Sequence, residues 1–215
     1  MEIDTILFDF DGTLVNTNPL IISSFEHVLD SYYPGRYSRE DIIGFIGTPL
    51  PENFRSIDPD RAEEMIRMYQ QFTLDHHDAM LEEYEGVTET IQRLHEQGFH
   101  LAVVTTKRKE TALMGLEASG LAPYFPTVIT LADVERAKPD PEPLERAMAA
   151  FGSKPGKTMM VGDSKYDILA GKNAGVRTAG VAWTIKGEEH LQSYEPDIML
   201  QTMPGILSYL GVKQV

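Results

Sequence analysis

The sequence contains no cysteine. That excludes disulfides, thiolate nucleophiles and cysteine-ligated zinc. It has no basic excess: 33 Asp and Glu stand against 19 Lys and Arg, for a net charge of -14. A surface of that sign repels phosphate backbones, so no nucleic-acid partner is expected. Long hydrophobic runs are also missing. No stretch approaches the roughly 18 apolar residues of a membrane-spanning helix, and no membrane association is expected. Met1-Glu2-Ile3-Asp4 is acidic and lacks the basic start of a secretory leader, which makes a cytoplasmic location the expectation. There is no internal repeat and no low-complexity tract, and no feature sets an oligomeric state.

What is present is an ordinary globular composition. The chain has 215 residues, 42% of them apolar, enough for one moderate domain or a core with a smaller insert. Short apolar runs alternate with helical patterns that end at glycines. The strand candidates are Thr5–Phe10, Leu101–Thr106, Thr127–Leu131, Thr158–Asp163, Thr178–Trp183 and Ile198–Leu200. Helical patterns fall at Val87–Gln97, Lys109–Ser119, Pro141–Phe151, Tyr166–Ala174 and Pro204–Leu210. Continuous apolar strands in repeated βα units predict an α/β fold, a doubly wound parallel sheet covered on both faces. From Leu20 to Met80 the pattern is helical, broken near Tyr33-Pro34-Gly35, Gly44–Pro51 and Asp58-Pro59. Asn18-Pro19 reads as an N-cap followed by proline at N1. The expected organisation is a catalytic core of residues 1–15 and 84–215 and a helical cap of residues 16–83.

Ligands of parallel sheets bind beyond the carboxyl ends of the strands, and the polar residues gather there. The first strand runs into Asp9-Phe10-Asp11-Gly12-Thr13. Burying carboxylates is expensive unless a cation compensates. An aspartate of ordinary pKa, about 3.9, is almost wholly ionised at pH 7, so Asp9 is a candidate nucleophile toward phosphorus and Asp11 a candidate proton donor. Oxygen-only ligands favour Mg²⁺ over zinc. The alternative for the pair is turn capping. Thr105 and Thr106 end the second strand and offer a hydroxyl and N–H groups to a phosphoryl oxygen; the alternative is an N-cap threonine. Lys138 lies in Ala137-Lys138-Pro139-Asp140-Pro141, where the prolines stiffen the frame. It is a candidate for neutralising the transferring group, or else a surface lysine. Asp163 is a candidate metal ligand. Asp167 would order a metal-bound water or tether Lys138, or both acids would simply favour a helix N-terminus. Gly12, Thr106 and Lys107 are the candidate phosphate-binding positions, with Arg55 a further candidate for a second phosphate.

Taken in order, Asp9-Phe10-Asp11-Gly12-Thr13, Thr105, Lys138 and Gly162-Asp163-Ser164-Lys165-Tyr166-Asp167 resemble the four motifs of haloacid-dehalogenase-type phosphatases. The resemblance spans the chain. It implies a Rossmann-like core, an inserted helical cap and Mg²⁺ as cofactor. At the matching positions it implies Asp9 as nucleophile, Asp11 as general acid/base, and Thr105 and Lys138 as phosphoryl-binding groups. It gives Mg²⁺ to Asp9, the Asp11 main-chain carbonyl and Asp163. True dehalogenases of the family lack the second aspartate, and its phosphomutases usually carry Val or Ile where this chain has Thr13, so hydrolysis is the implied chemistry. Phe45-Ile46-Gly47, Asp75-His76-His77-Asp78, Glu82-Glu83-Tyr84-Glu85, Val104-Thr105-Thr106-Lys107 and Ala179–Gly187 resemble an inorganic-pyrophosphatase subgroup. The implied partner is therefore a small phosphorylated substrate, pyrophosphate. The alternatives are a small phosphoester such as 2-phosphoglycolate, or a non-catalytic phosphate-binding regulator. Substrate choice is expected from the cap segment Gly44-Phe45-Ile46-Gly47-Thr48-Pro49-Leu50, through Gly44, Gly47 and Thr48. His76 and His77 are expected to face solvent.

Overall fold

The computed structural model describes residues 3–77 and 79–212. Asp78 of the Asp75–Asp78 segment and the acidic start Met1-Glu2 lie outside the described residues. The chain divides into two compact units, Met1–Asn16 with Glu83–Val215 and Thr17–Glu82. Among the described residues no helix is long and apolar enough to cross a membrane.

The larger unit is built on a six-stranded sheet. Its strands are β1 (Thr5–Phe8), β4 (His100–Val104), β5 (Thr127–Ile129), β6 (Thr158–Gly162), β7 (Arg177–Val181) and β8 (Ile198–Leu200). Their order is β5-β4-β1-β6-β7-β8, and every pairing is parallel. Two further strands, β2 (Val15–Asn16) and β3 (Glu82–Glu83), pair as a separate ribbon. β1 is central and buried throughout. It registers Phe8 with Val103 on one side and with Val161 on the other. The chain builds outward from β1 first to β4 and β5, then back to β6, so the topological switch lies at β1. That is where an open parallel sheet leaves a crevice for ligands.

The helices of this unit are α5 (Val87–Glu96), α6 (Lys109–Ala118), α7 (Glu142–Phe151), α8 (Lys165–Ala174), α9 (Glu188–Gln192) and α10 (Gly205–Tyr209). Leu7, Ala102, Met160, Leu144, Ala147 and Ala170 share one fully buried cluster, joining the three central strands to α7 and α8. Small residues on the helices allow this close approach, as a parallel sheet covered by helices requires.

Several boundaries differ from the sequence-based expectation. β1 ends at Phe8 rather than Phe10, β4 at Val104 rather than Thr106, and β5 at Ile129 rather than Leu131. In each case the expected run continues two residues past the strand, because the chain turns at the sheet edge while Asp9, Thr105 and Thr130 stay buried. The short polar helix α9 has no apolar periodicity to announce it.

The smaller unit is all helical among its described residues apart from Glu82: α1 (Asn18–Tyr32), α2 (Arg39–Phe45), α3 (Leu50–Ile57) and α4 (Ala62–His76). Phe25 holds it together, with ring centroids 5.5, 5.4 and 4.9 Å from those of Phe45, Phe54 and Tyr69. Thr17, not Asn18, is the N-cap residue of α1 and makes no side-chain capping bond. Asn18 is the first helical residue and is buried. α2 opens on a reciprocal capping box between Ser38 and Asp41. His76 is exposed as expected, but His77 is buried. Successive helical side chains point about 100° apart, so one of two neighbours turns inward.

Gly171 supplies a test of the packing. A Cβ there would collide with the Thr178 methyl. That methyl cannot swing aside cheaply, because Thr178 Oγ1 donates to Asp197 Oδ2 and accepts from Asp197 N, both at 3.0 Å. Gly→Ala inside a helix normally stabilises by about 1 kcal/mol. Here Gly171→Ala should instead destabilise by about 1–3 kcal/mol from overpacking, read from the midpoint of urea unfolding.

Candidate active site

The ends of β1, β4 and β6 lie side by side and present their following residues at one edge. Asp9 is fixed by one more rung of the ladder, its N–H donating to Val161 O at 2.9 Å. Thr105 is fixed likewise on Ile129 O at 2.9 Å. Asp163 follows Gly162, the last residue of β6. Lys138 is carried in by the Ala137–Pro141 turn, whose Lys138–Pro139 peptide is cis.

Asp9, Asp163 and Asp167 form a buried group whose carboxylate oxygens lie within 4.8 Å of one another. Lys138, 4% exposed, enters this group. Its Nζ donates to Asp167 Oδ1 at 2.6 Å and to Val104 O at 2.8 Å. It also stands 3.1 Å from Asp9 Oδ1. That third contact is an ion pair with the Asp9 carboxylate. An ammonium has three donors, and two are committed elsewhere.

Asp167 has both oxygens occupied. Oδ1 takes Lys138, while Oδ2 accepts from Ser164 N at 3.0 Å and from the Ser164 hydroxyl at 2.6 Å. This is the capping box of α8. Asp167 therefore caps a helix and tethers Lys138 at once. The sequence reading treated these as alternatives, and they coexist. The Ser164-x-x-Asp167 spacing is the sequence signature of such a box. Gly162 makes room for it: a Cβ at that position would run into the Asp167 side chain.

Gly12 has φ 75° and lies against Asp163; a Cβ there would come within 2.5 Å of Asp163 Oδ2. The turn after β1 thus needs a glycine both for its backbone and for the acid beside it. Thr105 is buried and its Oγ1 accepts from Lys107 N at 3.1 Å, so its hydroxyl closes a local turn. Thr105, Thr106, Thr130, Ala137 and Lys138 line a narrow recess next to the acids. Asp11 is close enough to repel Asp9 and Asp163 and pairs with Lys107 at 2.8 Å. Arg55 belongs to the smaller unit, is exposed and pairs with Glu63 at 3.2 Å. In that unit Asn53 Nδ2 donates to Phe45 O at 3.0 Å and Thr48 O at 3.2 Å. The bonds pin the short turn of residues 46–49, which holds Gly47 (φ 90°) and Thr48, whereas Gly44 lies within α2, so the loop expected over residues 44–50 is shorter than the sequence suggests. Lys186, which sequence reasoning passed over, is mostly buried and feels the field of Asp163. Burial is the larger influence and holds its pKa below that of an ordinary lysine.

Electrostatics follow from this packing. Burial pushes the Asp9 carboxyl up to about 7, against the lowering pull of Lys138, with Asp167 and Asp11 adding repulsion. Burial also raises Asp163 well above the carboxylate range, reinforced by Asp9 and Asp167. Burial works against the Lys138 ammonium, but Asp167 and Asp9 outweigh it and raise its pKa. Three buried acids and one lysine leave an excess of negative charge. That excess and the all-oxygen donor set fit a hard divalent cation. Asp9 and Asp163 have oxygens to offer, while Asp167 is already engaged.

These features sit on a recognisable fold. The profile of the haloacid dehalogenase-like hydrolase family matches residues 6–181. The chain belongs to that family and is an enzyme of it. It is 59% identical over 212 residues to "Pyrophosphatase PpaX" of Anoxybacillus flavithermus, covering 99% of both chains. It is 54% identical over 213 residues to the protein of the same name from Halalkalibacterium halodurans, again covering 99% of both. A solved haloacid dehalogenase-like structure from Bacteroides fragilis superposes with a TM-score of 0.89 at 26% identity, over 95% of this chain and 100% of that one. A haloacid dehalogenase-like family hydrolase from Streptococcus pneumoniae, at 22% identity, shares the fold with a TM-score of 0.86 over 96% and 98%.

Two outcomes are expected. Lys138→Met leaves Asp9 and Asp167 buried without a counter-charge and should cost about 3–5 kcal/mol at neutral pH, read by urea unfolding. The second concerns pH. Asp9 moves from 3.8 to about 7 on folding, so between those values the folded chain binds a proton that the unfolded chain has released. Stability of the metal-free protein should therefore fall as pH rises from about 4 to 7. If Mg²⁺ takes the place of that proton, the rise in Tm it produces should be larger at pH 8 than at pH 6 in a thermal-shift series.

Proposed function

We propose that this chain hydrolyses inorganic pyrophosphate to phosphate, with Mg²⁺ and through an aspartyl phosphate on Asp9. Family membership together with the likeness to proteins named pyrophosphatase supports phosphohydrolase activity. The observation that carries the substrate is the full-length likeness, at 51–59% identity, to proteins named pyrophosphatase. The buried trio of acids around Lys138 supports the chemistry.

In this reading Asp9 attacks phosphorus, a P–O bond forms, and the bridging P–O bond breaks with its electron pair going to the departing phosphate. Lys138 meets the charge of the transferring group and stays in place because Asp167 and Val104 hold it. Thr105, Thr106 and Gly12 offer donors to the equatorial oxygens. Asp11 then takes a proton from water, which attacks the phosphorus of the intermediate and frees Asp9. Asp9, the Asp11 carbonyl and Asp163 are the groups assigned to Mg²⁺, whose contribution is to neutralise the acids and polarise the phosphoryl oxygens. Residues 16–83 are assigned the role of cap, with Gly44, Gly47 and Thr48 choosing the substrate.

The raised pKa of Asp9 bears on this scheme. A nucleophile must be ionised, and burial opposes ionisation. A bound cation would favour the ionised form of Asp9 as well as ease departure of the leaving group, so chelation should sharply lower turnover.

A panel assay tests the proposal. Phosphate release is measured from pyrophosphate, 2-phosphoglycolate and phenyl phosphate, each with Mg²⁺ and with chelator. Pyrophosphate should give the highest kcat/KM and chelator should sharply lower release. Preference for phosphoglycolate would contradict the substrate; no release from any would contradict catalysis. Asp9→Asn should lower kcat by at least about 10⁴-fold, as for loss of a covalent nucleophile, while circular dichroism stays unchanged.

A further inference from the structure

The turn after β4 carries a lysine whose surroundings differ from those of Lys138. Lys107 Nζ donates to Asp11 Oδ1 at 2.8 Å. The side chains are 9% and 20% exposed respectively. The ammonium lies 5.9 Å from the centroid of the Phe10 ring, and the backbone N–H donates to Thr105 Oγ1. The root and the head of this side chain are therefore both held. Ordering a lysine forfeits much rotamer freedom, and an exposed surface pair would not repay it.

We infer that Lys107 is the specificity-determining residue for a departing group that is itself a phosphate, favouring phosphoanhydrides over phosphate esters of uncharged alcohols. The inference rests on the roles proposed above for Asp9 and Asp11. In that reaction the bridging bond breaks and its electron pair stays on the departing oxygen. Departing phosphate carries charge of its own before the bond breaks and more afterwards. What it needs is a cation. A departing alcohol carries none beforehand, and needs a proton.

Asp11 is the side chain assigned to the departing oxygen, and Lys107 Nζ, at 2.8 Å, faces the same place. Carboxylate and phosphate oxygens are interchangeable partners for an ammonium. In the free protein Asp11 occupies Lys107; with pyrophosphate bound, the departing phosphate takes a share of the same ammonium. Lys138 is unsuited to the task, because its donors are turned to Asp167 and Val104 and it sits on the Asp9 side.

The test compares Lys107→Met, which keeps an unbranched side chain of similar length and removes the ammonium, with Lys107→Arg, which keeps the charge. The readout is kcat/KM for pyrophosphate divided by kcat/KM for phenyl phosphate. This ratio is independent of the fraction of enzyme that is folded, so a folding defect cannot imitate the effect. In Lys107→Met it should fall by about 10- to 100-fold, the range of one charge-assisted hydrogen bond. Lys107→Arg should recover most of it. An unchanged ratio in Lys107→Met, or a fall that Lys107→Arg does not repair, overturns the inference while leaving the proposed function intact. Wild-type enzyme that hydrolyses phenyl phosphate but not pyrophosphate would contradict the proposed function and this inference together.

Discussion

One buried ammonium group organises this molecule. Lys138 reaches the β4 carbonyl of Val104, the β1-end carboxylate of Asp9 and the α8-capping carboxylate of Asp167. Three segments far apart in sequence are thereby fixed relative to one another at the sheet's carboxyl edge. Each acid would be costly to bury alone. One lysine cannot neutralise three acids, so the arrangement is stable as an architecture and unsatisfied as an electrostatic system. The raised pKa of Asp9 and Asp163 expresses that deficit, and a cation is the natural complement.

The acidic surface takes on a different meaning in this light. A net charge of -14 should repel a phosphate compound. Yet Lys138, Lys107 and Lys186 are all drawn into the neighbourhood of these acids. These lysines stand among Asp9, Asp11, Asp163 and Asp167, so a bound cation would tip the local balance toward an anion. A small, highly charged anion is attracted only where it fits between them, which discourages binding elsewhere.

Much of the fold was legible because parallel strands buried on both faces leave continuous apolar runs, and glycines such as Gly152 and Gly175 close the helices in left-handed conformation. The switch at β1 was not legible, since strand order depends on which helix packs on which face. Asp9, Lys138 and Asp163 were legible as a set only because three strands end together. What sequence could not apportion was sharing. Asp167 caps α8 and tethers Lys138 through different oxygens, and Thr105 Oγ1 serves a turn. The engagement of Lys107 with Asp11, a contact across 96 residues, is one that no local pattern reveals. His77 was misjudged because its neighbour His76 is exposed and a pair of histidines reads alike.

The central claim is that Asp9, rather than a water molecule, makes the first bond to phosphorus. Asp11→Asn should block the second step and let the intermediate accumulate. Acid quenching of that variant during turnover of radiolabelled pyrophosphate with Mg²⁺, followed by peptide mapping, tests the claim most directly. The label should appear in near-stoichiometric amount on the peptide containing Asp9. Continued release of phosphate with no label on the protein, or label on another residue, would contradict it.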